Sequence, residues 1–272
     1  MTIRNSETPS IKIFSEGRAL YWVSRNWLLV FSIGYGLYVG MPFIAPVFMR
    51  LDWEMPAKVI YTFYSFLCHQ LPQRSFFLFG QKTMYSLQEI QTDWITTYDP
   101  WELRQYIGSA SLGWKMAWSD RMVSMFTSIL FFSWLWYPLR RRLKALPLWG
   151  FILLILPMVI DGGSHALSDI AGLWEGFRQT NTWLASLTNN SFPINFYEGD
   201  ALGSFNSWMR LITGVTFGLG IVWFGFPYID EVFTDNTDRI ENRYRSLAIL
   251  KEEALRGIPE NFEGELTKEK PL

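Results

Sequence analysis

Four stretches of the chain stay apolar for about 20 residues, the length a helix needs to cross a hydrocarbon core of ~30 Å. They lie near 27–48, 121–138, 147–167 and 208–228, separated by polar and charged sequence. The first carries Gly34, Gly36 and Gly40, small residues that let a neighbouring helix approach closely. Pro56 to Leu67 is aromatic and partly amphipathic but too short to cross, which reads as an interfacial or re-entrant helix. Residues 81–117 are polar, with Asp99-Pro100 and Gly108 as breakers. The pattern predicts an all-α fold, a polytopic membrane bundle of about four transmembrane helices plus an interfacial helix. Residues 1–26 form an N-terminal segment, 27–229 the membrane domain with loops over 49–120 and 168–207, and 230–272 a tail that is helical at least around 236–256.

Charge sets the expected orientation. Arg140, Arg141, Arg142 and Lys144 crowd the short connector between the second and third stretches, and such a knot marks the cytoplasmic side. Arg4, Lys12, Arg18 and Arg25 before the first stretch and Arg239, Arg243, Arg245 and Lys251 after the last fit the same side. The expected topology places both termini in the cytoplasm and both long loops outside, in the plasma membrane. Residues 1–20 are polar and mixed in charge, without the short apolar core of a cleaved signal peptide, so the first span is expected to direct insertion itself. The chain is 49% hydrophobic yet its mean hydropathy is only +0.08, so sizeable polar segments flank the spans. Fourteen Trp, among them Trp27, Trp118, Trp149 and Trp208 where apolar runs meet polar sequence, suit the headgroup layer. The expected partners are the lipid bilayer and other membrane subunits. A net charge of −1 supplies no basic face for nucleic acid.

Asp161 lies 14 residues past Pro147, roughly 21 Å along a helix, which places it inside the outer leaflet. A carboxylate there needs a partner or a cavity. If the helix continues through Gly162-Gly163, His165 and Asp169 follow on nearly the same face. Arg210, with Asn206 one turn before it, and Asp120-Arg121 reach a similar depth, and Cys68, His69 and Arg74 lie in a loop on that side. One external polar cluster is therefore expected, with Asp161 and Arg210 as a pair. Three uses are open to it: holding the bundle together, binding an ion, proton or small ligand, or holding a metal. His69, His165 and Asp161 are the metal candidates, with Cys68 beside them; mixed nitrogen, sulfur and oxygen ligation suits zinc, although no ligand pair has a diagnostic spacing. Cys68, the single cysteine, cannot form an internal disulfide or a multi-thiolate cluster. His69 is expected to fix its loop by a hydrogen bond to a carbonyl, Asp120 or Asp161.

Three segments carry a family resemblance: Phe66-Leu67-Cys68-His69-Gln70-Leu71-Pro72-Gln73-Arg74-Ser75-Phe76-Phe77, then Leu156-Pro157-Met158-Val159-Ile160-Asp161-Gly162, then Asn206 through Arg210 to Thr213-Gly214. In this order they resemble an uncharacterised membrane protein family of bacteria and archaea, a domain of unknown function with a Cys-His-Gln signature and a later Asp-Gly. The resemblance covers roughly 55–225. Many members carry Cys-x-Arg-Cys at the start of the second span, which implies a thiolate metal site. This chain has Trp118-Ser119-Asp120-Arg121-Met122 there, so only the arginine carries over. Members also often have Gln where this chain has His165. The expected function is that of a non-catalytic membrane protein whose polar cluster organises the bundle and binds an ion or small ligand, with an accessory role in a membrane complex. A membrane enzyme or metalloprotein with an external His/Cys/Asp centre is the alternative, and a transporter subunit a further one.

Overall fold

The computed structural model describes residues 15–256. Helix α1 (Ser15–Arg25) leads into α2 (Trp27–Arg50), the first of four helices long and apolar enough to cross a membrane. Between it and the second lie α3 (Glu54–Ser65), a 3-10 turn at Pro72–Arg74, β1 (Ser75–Leu78), α4 (Leu87–Asp93), the single turn α5 (Pro100–Leu103), β2 (Gly108–Ser109) and β3 (Gly113–Ser119). The second and third are α6 (Asp120–Leu139) and α7 (Leu148–Ile170). Three short helices follow, α8 (Phe177–Thr180), α9 (Thr182–Leu187) and α10 (Ile194–Tyr197), before the fourth, α11 (Phe205–Arg256).

The described residues divide into two compact units, 15–30 with 228–256, and Phe31–Pro227. In the first unit α1 runs antiparallel to the last part of α11. Tyr21 Oη donates to Glu241 at 2.8 Å, and Trp27 Nε1 donates to Asp230 at 2.8 Å while its ring stacks on Phe233. A Cβ on Gly17 would lie 2.1 Å from the Tyr244 hydroxyl, so the small residue leaves room for that side chain against α1.

In the second unit α6 and α11 meet along small residues. A Cβ on Gly214 would sit 2.0 Å from Ser124 Oγ, and one on Gly218 would sit 2.0 Å from Ser128 Oγ. The backbones approach because neither glycine has a side chain, the usual basis of close helix packing in lipid. Phe151 of α7 stacks on Phe224 of α11 at 4.5 Å, and Trp134 Nε1 of α6 donates to Ser32 Oγ of α2 at 2.9 Å. Leu37, Leu153, Val159, Ile160 and Ile212 are exposed on the outer faces of these helices. So much bare apolar surface is what lipid solvates and water does not.

The 54–119 segment has cores of its own. Ala57, Ile60, Tyr61 and Tyr64 form one stripe of α3 and pack on Trp118, which is fully buried and stacks on Phe126. Strand β3 pairs antiparallel with β1 on one side and β2 on the other. This three-stranded sheet is absent from the sequence expectation, which held only a polar excursion over 81–117. β2 has only two residues, and β3 buries four consecutive residues from Lys115 to Trp118, so both of its faces are covered and no period-two alternation marks it. The sheet matters to the site, because β3 runs into α6 without a loop and so fixes where Asp120 and Arg121 start the helix.

Candidate functional site

The acids and arginines at one end of the spans converge. Helix α7 does continue through Gly162-Gly163, and it buries Asp161 and His165 on one face with Asp169 following. Asp161 is 3% exposed and carries two arginines: Arg121 Nη2 donates to Oδ2 at 2.7 Å and Arg178 Nη2 to Oδ1 at 2.6 Å. Arg210 does not pair with Asp161. Its Nε donates to both oxygens of Asp120, at 2.8 and 2.9 Å, and its Nη1 to Asp200 Oδ1 at 2.6 Å. Matched depth is satisfied twice over, because Asp120 is a second carboxylate at that level, on α6, the helix against which α11 packs. Asp120 is also the first residue of α6, where the exposed amides of the helix N-terminus favour a carboxylate.

Arg74, on the 3-10 turn after the Cys-His-Gln loop, closes the network. It grips Asp169 with both terminal nitrogens, at 2.7 and 2.8 Å, and Asp200 with Nε at 2.8 Å. Burial disfavours both Asp200 and Arg74 in charged form, but the pairing outweighs it. Asp200, held between Arg74 and Arg210, titrates well below the usual carboxylate range, and Arg74 holds its proton more firmly than a free arginine. Four aspartates balance four arginines, which is how a buried ionic cluster remains tolerable.

Sequence reasoning missed Arg178 and Asp200. Both sit in the 168–207 loop, flanking a run from Gln179 to Tyr197 that holds no charged residue, and that isolation was the available signal. Asn181, with φ of 43°, organises this loop: its Nδ2 donates to the carbonyls of Arg178 and Tyr197, and the Asn206 amide donates to the carbonyls of Arg178 and Gly199. Asn206 thus ties the loop to the start of α11 and is not itself turned to a ligand.

The Cys-His-Gln loop is held by Gln70 rather than His69. Gln70, at φ of 51°, donates from Nε2 to Tyr61 O at 2.9 Å, and its carbonyl accepts from Lys115 Nζ at 2.8 Å. His69 is exposed and makes no hydrogen bond among the described residues, which corrects the expected anchoring role. Cys68 is half-buried, 3.6 Å from Ser119 Oγ, and its sulfur accepts from the Gln70 amide. Lys115 was also missed as a structural residue. It is fully buried on β3 and donates to the Gln70 and Arg104 carbonyls, and burial without a carboxylate drops its pKa to about 7.

These residues enclose a cavity of about 460 Å³, bounded by Leu67–Leu71, Arg74, Arg121, Met122, Arg210, one face of α7 from Gly162 to Ile170, and Leu173. Cys68, His69 and His165 are on its wall; Asp120, Asp161 and Asp200 are behind it. The residues do not suit zinc. Among the described residues no three His, Cys, Asp or Glu side chains converge as ligands would. Asp161 is already committed to two guanidinium groups, and His165 Nε2 lies 3.1 Å from the Arg178 cation, which opposes a second positive charge there. The set His69, His165 and Asp161 is therefore set aside.

Residues 110–224 match the family described as "Predicted membrane protein (DUF2085)". An uncharacterized protein of Methanocaldococcus jannaschii is 25% identical over 163 residues, which cover 57% of this chain and 80% of that protein. No solved structure matches. With four helices long and apolar enough to cross a bilayer, the chain is a multi-pass membrane protein of unknown function that resembles an uncharacterised prokaryotic membrane protein family.

Proposed function

We propose that this is a non-catalytic membrane protein whose Asp–Arg network ties three spans and two loops into a binding cavity for a small ligand, in the manner of an accessory or receptor subunit. The observation that carries the reading is the cavity itself. Its volume of about 460 Å³ falls within the range of small-ligand sites, its wall is mostly apolar, and a few polar groups converge at one end. Three of the polar groups are arginines already held in place by acids, which makes them a rigid platform. Among the described residues the Cys68 sulfur hydrogen-bonds Ser119 and the Gln70 amide and no imidazole that could act as its base. The positive charges at Arg140–Lys144 support a cytoplasmic position for that connector, which puts the cavity at the external end of the spans in the plasma membrane.

Ala166 is exposed on the cavity wall, so Ala166→Trp fills the space without disturbing the ionic network. Native mass spectrometry of the full chain in mild detergent should show a retained small molecule that the filled variant lacks. Identical bound masses in the two proteins would overturn the reading.

A further inference from the structure

We infer that the ligand is a membrane lipid with an anionic phosphate head, its oxygens held by Arg121 and its chains lying along the apolar wall. This rests on the binding cavity described above and names what fills it. The first support is the sign of the wall. Three arginines line it, Arg74, Arg121 and Arg210, against a single aspartate, Asp169, while the other three acids stand behind the arginines. A network that is neutral as a whole therefore turns a positive face inward.

The second support is which donors remain free. Arg74 and Arg210 each commit all three nitrogens to Asp or to a carbonyl. Among the described residues Arg121 commits only Nη2; its Nη1 has no hydrogen-bond partner, while its Nε, also unpartnered, is closed off from the cavity. The neighbouring His165 accepts from the Arg178 Nη2 donor through Nε2 at 3.1 Å and so carries its proton on Nδ1, which is closed off from the cavity. The wall thus presents a spare guanidinium donor with no matching acceptor, and the complementary group is acceptor-only: an oxyanion.

The third support separates a lipid from a free ion. Leu67, Leu71, Met122, Ala166, Ile170 and Leu173 supply the wall's apolar surface, and Leu67 and Ile170 carry it out to the exterior. Inorganic phosphate has no use for that surface, whereas acyl chains would bury it.

Native mass spectrometry of the detergent-solubilised full chain, titrated separately with phosphatidylglycerol, phosphatidylcholine of the same chains and inorganic phosphate, tests the inference. One phosphatidylglycerol should be retained with at least about tenfold preference over phosphatidylcholine, the size of one charge-assisted contact. Arg121→Lys keeps a cation beside Asp161 but loses the fork, and should shrink the preference several-fold in a folded protein. Arg140→Gln, in the connector, should leave it unchanged. Equal retention of both lipids, lost in Ala166→Trp, would overturn the anionic head and keep the cavity. Phosphate binding that phosphatidylglycerol cannot displace would overturn the lipid. Unchanged retention of lipid in Ala166→Trp would overturn the cavity reading itself.

Discussion

The pairing of Asp120 with Arg210 can be tested against the pairing of Asp161 with Arg210 that depth alone suggests. Asp120 is wholly buried, and its two oxygens take the Arg210 Nε, the Arg121 amide and, at 3.4 Å, the Ser207 hydroxyl. Asp120→Asn leaves the buried Arg210 with Asp200 as its remaining counter-charge. Breaking a buried ion pair by removing one partner costs ~3–5 kcal/mol, and because Asp200 stays in place the low end, ~3 kcal/mol, applies. Arg210→Gln strips charge from Asp120 and Asp200 together and belongs at the upper end. The double variant should fall short of the sum by ~2–3 kcal/mol, since each single change already forfeits the shared contact. The same cycle with Asp161→Asn and Arg210→Gln should give a coupling below about 1 kcal/mol, because the partners of Asp161 are Arg121 and Arg178. Unfolding by sodium dodecyl sulfate in mixed micelles, followed by tryptophan fluorescence, supplies the free energies. A larger coupling for Asp161 with Arg210 than for Asp120 with Arg210 would refute the network as described.

Three further outcomes follow from particular residues. Lys115 titrates near 7 when folded and near 10.4 when unfolded, so between these values the unfolded chain binds the extra proton and stability rises with pH, by up to ~1.4 kcal/mol per unit; Lys115→Met should flatten that rise in unfolding midpoints measured from pH 7 to 10. Gly214→Ala forces a methyl onto Ser124 Oγ and should cost ~1–3 kcal/mol, whereas Gly163→Ala, which meets nothing within 4 Å, should add up to ~1 kcal/mol of helix stability in the same unfolding assay. In a Cys68→Ser background, cysteines at Thr96 and Ser186 should react with an impermeant maleimide from outside the cell, and one at Arg142 only after lysis; labelling of 96 and 142 from the same side would reverse the charge argument.

The spans were legible because a bilayer imposes a length and admits few charges, so about 20 apolar residues between polar borders leave few readings. The sheet was not, because β2 is only two residues long and β1 finds its partner far away in sequence: Ser75 meets Ser119 only after the chain has looped through 40-odd residues. The sequence pattern sets the tail apart as its own helical segment, and α11 instead runs without a break from Phe205 to Arg256, with Pro227 inside it. Proline removes one backbone bond, and the flanking turns still hold the helix.

The ionic site was legible in its members and not in its pairings. Depth along a helix places Asp120, Arg121, Asp161 and Arg210 at one level, but four acids and four arginines allow many assignments, and Arg178 and Asp200 reach the level only through loop geometry. Two short motifs become intelligible at this scale. In Cys-His-Gln the residue that holds the loop is the glutamine, whose left-handed backbone and amide let Tyr61 and Lys115 pin the turn that delivers Arg74. In Asp-Gly the glycine is needed because a Cβ on Gly162 would lie 2.9 Å from Arg121 Nη1, so the acid supplies the charge and its neighbour supplies the room. Chemistry of this kind is written in residue types that sequence displays, but the choice of partner is made by packing, and packing here leaves Arg121 as the arginine on the cavity wall with donors to spare.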